Sequence, residues 1–165
     1  MTLHGAFAAK LEQRRRTREG DLGETGSRGE GGPLPFVLVV DDEPEITRTI
    51  ADMLRRDYQV LTASSAQEGL ELLRANSVAV ILTDQRMPGG TGAELLAHAL
   101  DVSPETTRIL FTGYSDISAV IDAVNEGQVY RYMTKPWRPD ELRAAIGQGL
   151  DRYRLVLENR RLFAE

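Results

Sequence analysis

Carboxylate side chains follow two apolar runs of the sequence, at the point where each run ends. The run 36–40 leads into Asp41 and Asp42, and the run 78–82 leads, after one threonine, into Asp84. Continuous apolar runs rich in β-branched residues are typical of strands buried on both faces of a parallel sheet. Open α/β sheets bind ligands at the carboxyl ends of such strands. Taken alone, Asp84 is therefore either a cap of the following turn or part of a site.

Two other polar side chains, Thr112 and Lys135, end apolar runs in the second half of the chain. Because the carboxyl ends of parallel strands meet at one edge of a sheet, we expect both of them near the three carboxylates. Carboxylates this close repel each other and need a cation to stay ionised, and a hard divalent ion such as Mg²⁺ suits oxygen ligands. One carboxylate could then attack phosphorus to form an aspartyl phosphate. The metal, the lysine and the hydroxyl would neutralise the phosphoryl oxygens.

Helical patterns separate five strand-like runs along the chain, which predicts a doubly wound parallel sheet in a three-layer α/β sandwich. In the flavodoxin-like strand order 2-1-3-4-5, the switch point lies between strands 1 and 3, the two that end in carboxylates. The predicted strands are 36–40, 58–63, the run that ends at Asp84, 108–113 and 128–133. The predicted helices begin at Pro44, after Ser64 or Ser65, at Gly92, after Ser115 or Asp116, and at Pro139.

The composition limits the classes of protein to which this chain can belong. Hydrophobic residues make up 41% of the 165 residues and charged residues 27%, which is ordinary for a soluble globular domain with tails. The absence of cysteine excludes disulfides, thiolate metal sites and cysteine nucleophiles, and fits a cytoplasmic protein. No apolar run is long enough to span a membrane. The net charge of −5 argues against direct nucleic-acid binding.

The pattern divides the chain into three parts. Residues 1–34 contain a short basic stretch and then a Gly-, Glu- and Ser-rich stretch, which predicts a flexible arm. Residues 35–150 hold the α/β domain. Residues 151–165 continue the helical spacing of the last predicted helix. They form either a helix end that frays after about residue 152 or a coiled-coil linker to an output domain.

At this point the sequence closely resembles the receiver domain of two-component response regulators, over about residues 36 to 150. Any one of the shared motifs would be weak evidence, but four in this order and spacing are specific. The finer motifs resemble receivers attached to σ54-type activators or cyclic-di-GMP phosphodiesterases. The matching residues are Val40-Asp41-Asp42-Glu43, Asp84-Gln85-Arg86-Met87-Pro88 with Gly92, Thr112-Gly113, and Tyr132-Met133-Thr134-Lys135-Pro136.

The resemblance implies a role for each matching position. Asp84 would accept a phosphoryl group from a histidine kinase, and Lys135 would pair with that group. Mg²⁺ would be held by Asp42, by Asp84, by the main-chain carbonyl of Arg86 and, through water, by Asp41. Thr112 and Tyr132 would switch together, although Tyr132 could also be a plain packing residue. Pro136 would follow a cis peptide bond.

The resemblance also bears on hydrolysis and on signal output. Arg86 and Tyr114 would flank the path of the attacking water, and since both are bulky we expect slow autodephosphorylation. The output surface would comprise residues 115–126, residues 129–133 and the last helix. It would support a phosphorylation-driven homodimer and contacts with a downstream protein or a fused output domain.

Two other functions compete with the phosphoacceptor switch. A haloacid-dehalogenase-like phosphatase also uses a strand-end Asp, Mg²⁺ and Lys, but it needs a second acid two residues after its nucleophile, where this chain has Arg86. We therefore expect a protein that is not an enzyme. The second alternative is a module that keeps the fold and binds partners without phosphorylation.

Overall fold

Five parallel strands form one sheet in the computed structural model, which describes residues 32–164 except for the side chains of Tyr114 and Ala164. The strand order is β2-β1-β3-β4-β5, so the predicted doubly wound sheet is confirmed. The strands are β1 (Phe36–Val40), β2 (Gln59–Ala63), β3 (Val78–Asp84), β4 (Thr107–Thr112) and β5 (Arg131–Thr134). The helices are α1 (Pro44–Leu54), α2 (Ala66–Ala75), α3 (Gly92–Val102), α4 (Ile117–Asn125) and α5 (Pro139–Ala164), with a 3-10 turn at Tyr114–Asp116.

The helices cover both faces of the sheet. On one face, α1 and α5 pack on a core to which Ile50, Leu54, Leu142 and Ile146 contribute. On the other face lie α2, α3 and α4, and a hypothetical Cβ at Gly69 of α2 would contact both Val40 and Leu95. All seven residues of β3 are buried, as expected of a central strand with helices on either side. Burial of this apolar surface is the main driving force for the fold.

The strand register brings the polar strand ends to one edge. Val40 of β1 pairs with Thr83 of β3, so Asp41 and Asp84 each lie one residue beyond this pair. Asp84 pairs with Phe111, and Thr112 pairs with Thr134 of β5. These strand ends therefore place Asp41, Asp84 and Thr112 side by side, with Lys135 directly after the end of β5.

Two helix starts illustrate how local sequence sets the element boundaries. Ser65 accepts a hydrogen bond from the main chain of Glu68, which makes Ser65 the N-cap of α2 rather than Ser64. Thr91 and Glu94 form a capping box at the start of α3, with each side chain bonded to the other residue's main chain. This capping box begins α3 just after the loop that follows Asp84.

The start of β5 was predicted three residues too early, at residue 128 instead of Arg131. The main chain of Gly127 (φ 76°) and Gln128 bonds back to α4, since their N–H groups donate to Val124 and Ala123. This is a glycine-terminated helix end, which the alternation of apolar residues does not reveal. The buried Arg108 guanidinium also donates to the Gln128 carbonyl at 2.9 Å.

The last helix does not end near residue 152, since α5 continues to Ala164. Leu150 and Tyr153 still pack on the core. Beyond them, Arg160 pairs with Glu105 at 3.0 Å, whereas Leu162 and Phe163 are exposed. Whether this helix acts as a coiled-coil linker stays a prediction.

The predicted arm falls almost entirely outside the described residues, which begin at Gly32. Within the part that is described, Leu34 and Pro35 accept hydrogen bonds from Gln59 at 2.8 and 2.9 Å. No helix between residues 32 and 164 has the length and apolar character needed to cross a membrane.

Candidate functional site

Asp84 and Lys135 are in direct contact at the carboxyl edge of the sheet. The Lys135 ammonium lies 3.0 Å from Asp84 Oδ1, and the main-chain N–H of Gln85 donates to the same oxygen at 2.9 Å. Asp84 is only 7% exposed. Two donors on one oxygen fix the orientation of the carboxylate. Lys135 precedes Pro136, and their peptide bond is cis, as predicted.

Three carboxylates converge at this edge. Asp41, Asp42 and Asp84 can place one oxygen each within 4.8 Å of the others. Asp41 is 2% exposed, whereas Asp42 is exposed to solvent. The pKa of the Asp41 carboxyl is raised from 3.8 to about 6, mainly by burial and in smaller part by the negative charges of Asp84 and Asp42. A hydrogen bond from the Glu43 N–H and the charge of Lys135 act in the opposite direction.

This carboxylate set fits a divalent cation. The Oδ1 atom of Asp41 accepts from the Glu43 N–H at 2.9 Å, but its buried Oδ2 has no hydrogen-bond partner. A buried carboxylate oxygen without a partner is costly, and a cation or its bound water would satisfy it. An all-oxygen donor set of this kind is what a hard cation prefers. The cluster can therefore hold a metal.

Gln85 and Gly92 hold the Asp84 loop against α3, a role that the motif analysis did not assign to them. Gln85 is buried, and its side-chain carbonyl accepts from the Ala93 N–H at 2.9 Å. Its main-chain carbonyl accepts from the Gly92 N–H at 3.0 Å. A Cβ at Gly92 would collide with the Asp84 carbonyl oxygen, so only glycine lets the helix approach this closely. The sequence motif included Gly92, but it did not indicate this close approach to the Asp84 carbonyl.

The predicted switch residues lie on the neighbouring strands β4 and β5, and neither side chain is hydrogen-bonded to the acidic cluster. Thr112 is fully buried, and its hydroxyl donates to the Gly113 carbonyl at 3.1 Å. Tyr132 is 37% exposed and points to solvent from β5. Trp137, the single tryptophan of the chain, stacks on Phe111 beside the site.

The Arg86 guanidinium binds the loop that follows β4, although 73% of the Arg86 side chain remains exposed to solvent. Its guanidinium makes two hydrogen bonds to the Asp116 carboxylate, at 2.7 and 3.0 Å, and one of 3.4 Å to Ser115. The bonds to Asp116 raise the pKa of the guanidinium. Arg86, Asp116, Asp42 and Gln85 are among the residues that line an open cleft of about 490 Å³. The side chain of Tyr114, the other predicted flanking residue, lies outside the described part.

Comparison with known proteins agrees with this geometry. The response regulator receiver domain family matches residues 37–147. The hydrogenase transcriptional regulatory protein HoxA of Cupriavidus necator is 46% identical over 75% of this chain and 27% of its own length. The C4-dicarboxylate transport transcriptional regulatory protein DctD of Rhizobium meliloti is 32% identical over 78% of this chain and 28% of its own length. The chain thus spans about a quarter of these curated relatives.

Solved structures of related sequence share the fold of this chain. A receiver domain protein of Clostridium thermocellum superposes with a TM-score of 0.70 at 36% identity, covering 74% of this chain and 99% of that one. A structure described as adenylate cyclase from Rhodopirellula baltica gives a TM-score of 0.78 at 34% identity, over 80% of this chain and 98% of that one. From the family match, the shared fold and the polar strand ends, we conclude that this chain belongs to the response regulator receiver domain family.

Proposed function

We propose that Asp84 accepts a phosphoryl group from a phosphohistidine of a histidine kinase, and that the modified domain signals by a change of conformation. The observation that carries the proposal is the contact of Asp84 with Lys135 inside a cluster of carboxylates. A carboxylate held in a fixed orientation is a competent nucleophile, and the ammonium beside it offsets negative charge on an incoming phosphoryl group.

The transfer is an in-line displacement at phosphorus. A carboxylate oxygen of Asp84 forms the new P–O bond, and the P–N bond to the kinase imidazole breaks, with its electron pair leaving on nitrogen. Lys135 then pairs with a phosphoryl oxygen. Asp42, Asp84 and the main-chain carbonyl of Arg86 would hold Mg²⁺, with Asp41 acting through water, and the bound ion would supply positive charge that stabilises the transition state.

Thr112 and Tyr132 carry the conformational response in this proposal. The Thr112 hydroxyl rotates from the Gly113 carbonyl to a phosphoryl oxygen and draws the β4–α4 loop toward Asp84. Tyr132, now 37% exposed, turns inward to fill the space. The set of side chains exposed on the face formed by α4, β5 and α5 then changes, and a partner protein recognises this change.

The output is protein contact. We propose a homodimer through residues 115–126, residues 129–133 and the last helix, together with a downstream target or fused output domain. The relatives HoxA and DctD are named transcriptional regulatory proteins, which supports transcription control as the output. In this account the chain itself neither contacts nucleic acid nor turns over a separate substrate, and it works in the cytoplasm.

Slow hydrolysis of the aspartyl phosphate belongs to the same proposal. Arg86 and Tyr114 flank the path of the attacking water, and the tethering of Arg86 to Asp116 supports a restricted path. We expect a phosphoryl lifetime of hours in the isolated protein. A half-life below a minute would contradict this part of the proposal.

Beryllofluoride with Mg²⁺ tests the switch against the alternative of a module that binds partners without phosphorylation. Nuclear magnetic resonance should show shifts at Thr112 and Tyr132 when both are added, and neither shift should appear in Asp84→Asn. The same substitution at exposed Asp101 is a matched control that should keep the full response. No response in the unmodified protein would favour the constitutive module.

A further inference from the structure

We propose that Asp116 is a positioning residue that holds Arg86 as a strap across the mouth of the phosphorylation site, and that this strap prolongs the life of the phosphoryl group. The inference rests on the proposed function of Asp84 and assigns a role to a residue outside the receiver motifs. Its basis is the geometry of the Arg86–Asp116 pair.

The pair has the geometry of a directed interaction and not of a casual surface contact. Arg86 Nε lies 2.7 Å from one carboxylate oxygen of Asp116, and a terminal guanidinium nitrogen lies 3.0 Å from the other. A planar guanidinium fork on a carboxylate is the arrangement in which arginine binds most specifically, and lysine cannot reproduce it. The Asp116 side chain is only 20% exposed, which limits the partners it can reach, whereas the Arg86 side chain is 73% exposed.

The Asp116 side chain pairs with Arg86 and does not cap the helix that follows it. It is the residue that precedes α4, where an aspartate often accepts a hydrogen bond from the first turn of the helix. Here its side chain makes no such cap bond. Both carboxylate oxygens are directed to Arg86 instead, so the position serves the long-range contact and not the helix start.

The strap joins the two loops that matter for the reaction. Arg86 lies two residues after Asp84, in the loop that leads to α3. Asp116 lies four residues after Thr112, at the end of the 3-10 turn. Arg86 and Asp116 also line the same open cleft beside Asp42. A bridge between these loops narrows the approach of water to the phosphoryl group and restrains the loop that Thr112 must move.

A double-mutant cycle on the phosphoryl lifetime tests the strap. The full chain is labelled with radiolabelled acetyl phosphate and Mg²⁺, freed of donor, and followed as the label is lost. Arg86→Ala and Asp116→Ala should each shorten the half-life by about three-fold, and the double variant should do no more than either single one. Asp122→Ala, which removes an exposed acid from α4, should leave the half-life unchanged.

The salt dependence of the phosphoryl half-life distinguishes an ion pair that controls hydrolysis from a residue that only stabilises the fold. Salt screens exposed ion pairs, so high salt should shorten the half-life of the unmodified protein toward that of Asp116→Ala, and Asp116→Ala itself should respond little. Asp116→Glu, which keeps the charge, should recover part of the lifetime.

The outcomes separate the strap from the function on which it rests. Single variants whose effects multiply in the double variant, or an Asp116→Ala half-life equal to that of the unmodified protein, would overturn the strap while leaving Asp84 as phosphoacceptor. If the unmodified protein took up no label, or Asp84→Asn took up as much, the proposed function and the strap would both fail.

Discussion

Trp137 stacks on Phe111, with ring centroids 6.0 Å apart and ring planes 18° from parallel. Phe111 is the register partner of Asp84, and Trp137 follows Lys135 by two residues. The single tryptophan of the chain therefore lies against the strand neighbour of the proposed phosphoacceptor. Its fluorescence should report on events at the acidic cluster.

Mg²⁺ binding should change the emission of Trp137, because a divalent charge at Asp84 alters the field on the Lys135 segment. Titration with MgCl₂ should give a saturable change in the unmodified protein. Asp42→Asn should weaken the apparent affinity by about ten-fold or more, since it removes an exposed carboxylate ligand without disturbing the core. Asp140→Asn, at the start of α5, is the matched control and should titrate normally. Equal titrations of both variants would contradict the metal assignment.

The buried Asp41 should make the metal-free protein less stable as the pH rises. The folded-state pKa of about 6 exceeds the ordinary 3.8, so the native state holds this proton more tightly than the unfolded chain does. The contribution of Asp41 to the free energy of unfolding therefore falls between about pH 4 and pH 6, by at most roughly 3 kcal/mol. Above the folded pKa the loss is complete.

Replacement of Asp41 removes this penalty. In the presence of a chelator, Asp41→Asn should raise the free energy of unfolding at pH 8 and change it little at pH 4, as measured by urea denaturation. Asp101→Asn, an exposed position on α3, should show no such pH dependence. A pH-independent effect of Asp41→Asn would show that the buried charge is not its cause. The same variant should lose Mg²⁺ affinity, because in our account a water bound to the metal would donate a hydrogen bond to Asp41 Oδ2.

Gly92→Ala should destabilise the domain by roughly 1–3 kcal/mol, since a Cβ there meets the Asp84 carbonyl oxygen and lies 2.7 Å from the Leu110 side chain. The matched control is Gly147→Ala in α5, where a Cβ meets nothing within 4 Å. That change should stabilise the protein by about 0.5–1 kcal/mol, because alanine is the better helix former. Thermal unfolding of both variants measures the contrast. Similar changes in the unfolding temperature of the two variants would argue against the close approach at Gly92.

The proposed dimer predicts an apolar contact on the output face. Ile121 of α4 is 41% exposed, and Tyr130, the residue before β5, is 44% exposed. Light scattering should show a higher molar mass when beryllofluoride and Mg²⁺ are added, and Ile121→Glu should keep the protein monomeric because a charge would be buried. The Trp137 response to Mg²⁺ should be retained in that variant. Ser118→Glu, at another exposed position of the same helix, tests whether a negative charge anywhere on α4 prevents dimerisation.

The fold and the main site were readable from the sequence because each depends on short-range patterns. Apolar runs defined the buried strands, and the carboxylates that end two of them marked the edge where Asp41 and Asp84 meet. The start of β5 was misplaced because Gly127 and Gln128 close α4 through main-chain bonds, which apolar alternation does not reveal. The extent of α5 depends on tertiary anchors such as the Arg160–Glu105 pair.

The Arg86–Asp116 pair shows why the remainder of the site was not foreseen. The sequence placed Arg86 near Asp84 and Asp116 near the start of α4, and each assignment was correct by itself. Their pairing depends on how the two loops face each other across the sheet edge. Gln85 is a similar case, since its buried amide bonds to the first turn of α3 only once that helix has packed on the Asp84 loop.

The central claim is that Asp84 is phosphorylated, and intact-protein mass spectrometry tests it most directly. Incubation with acetyl phosphate and Mg²⁺ should add the mass of one phosphoryl group to the unmodified protein. Asp84→Asn should gain none, and Asp101→Asn should gain it in full. Addition to Asp84→Asn at the normal level, or no addition to the unmodified protein, would contradict the account.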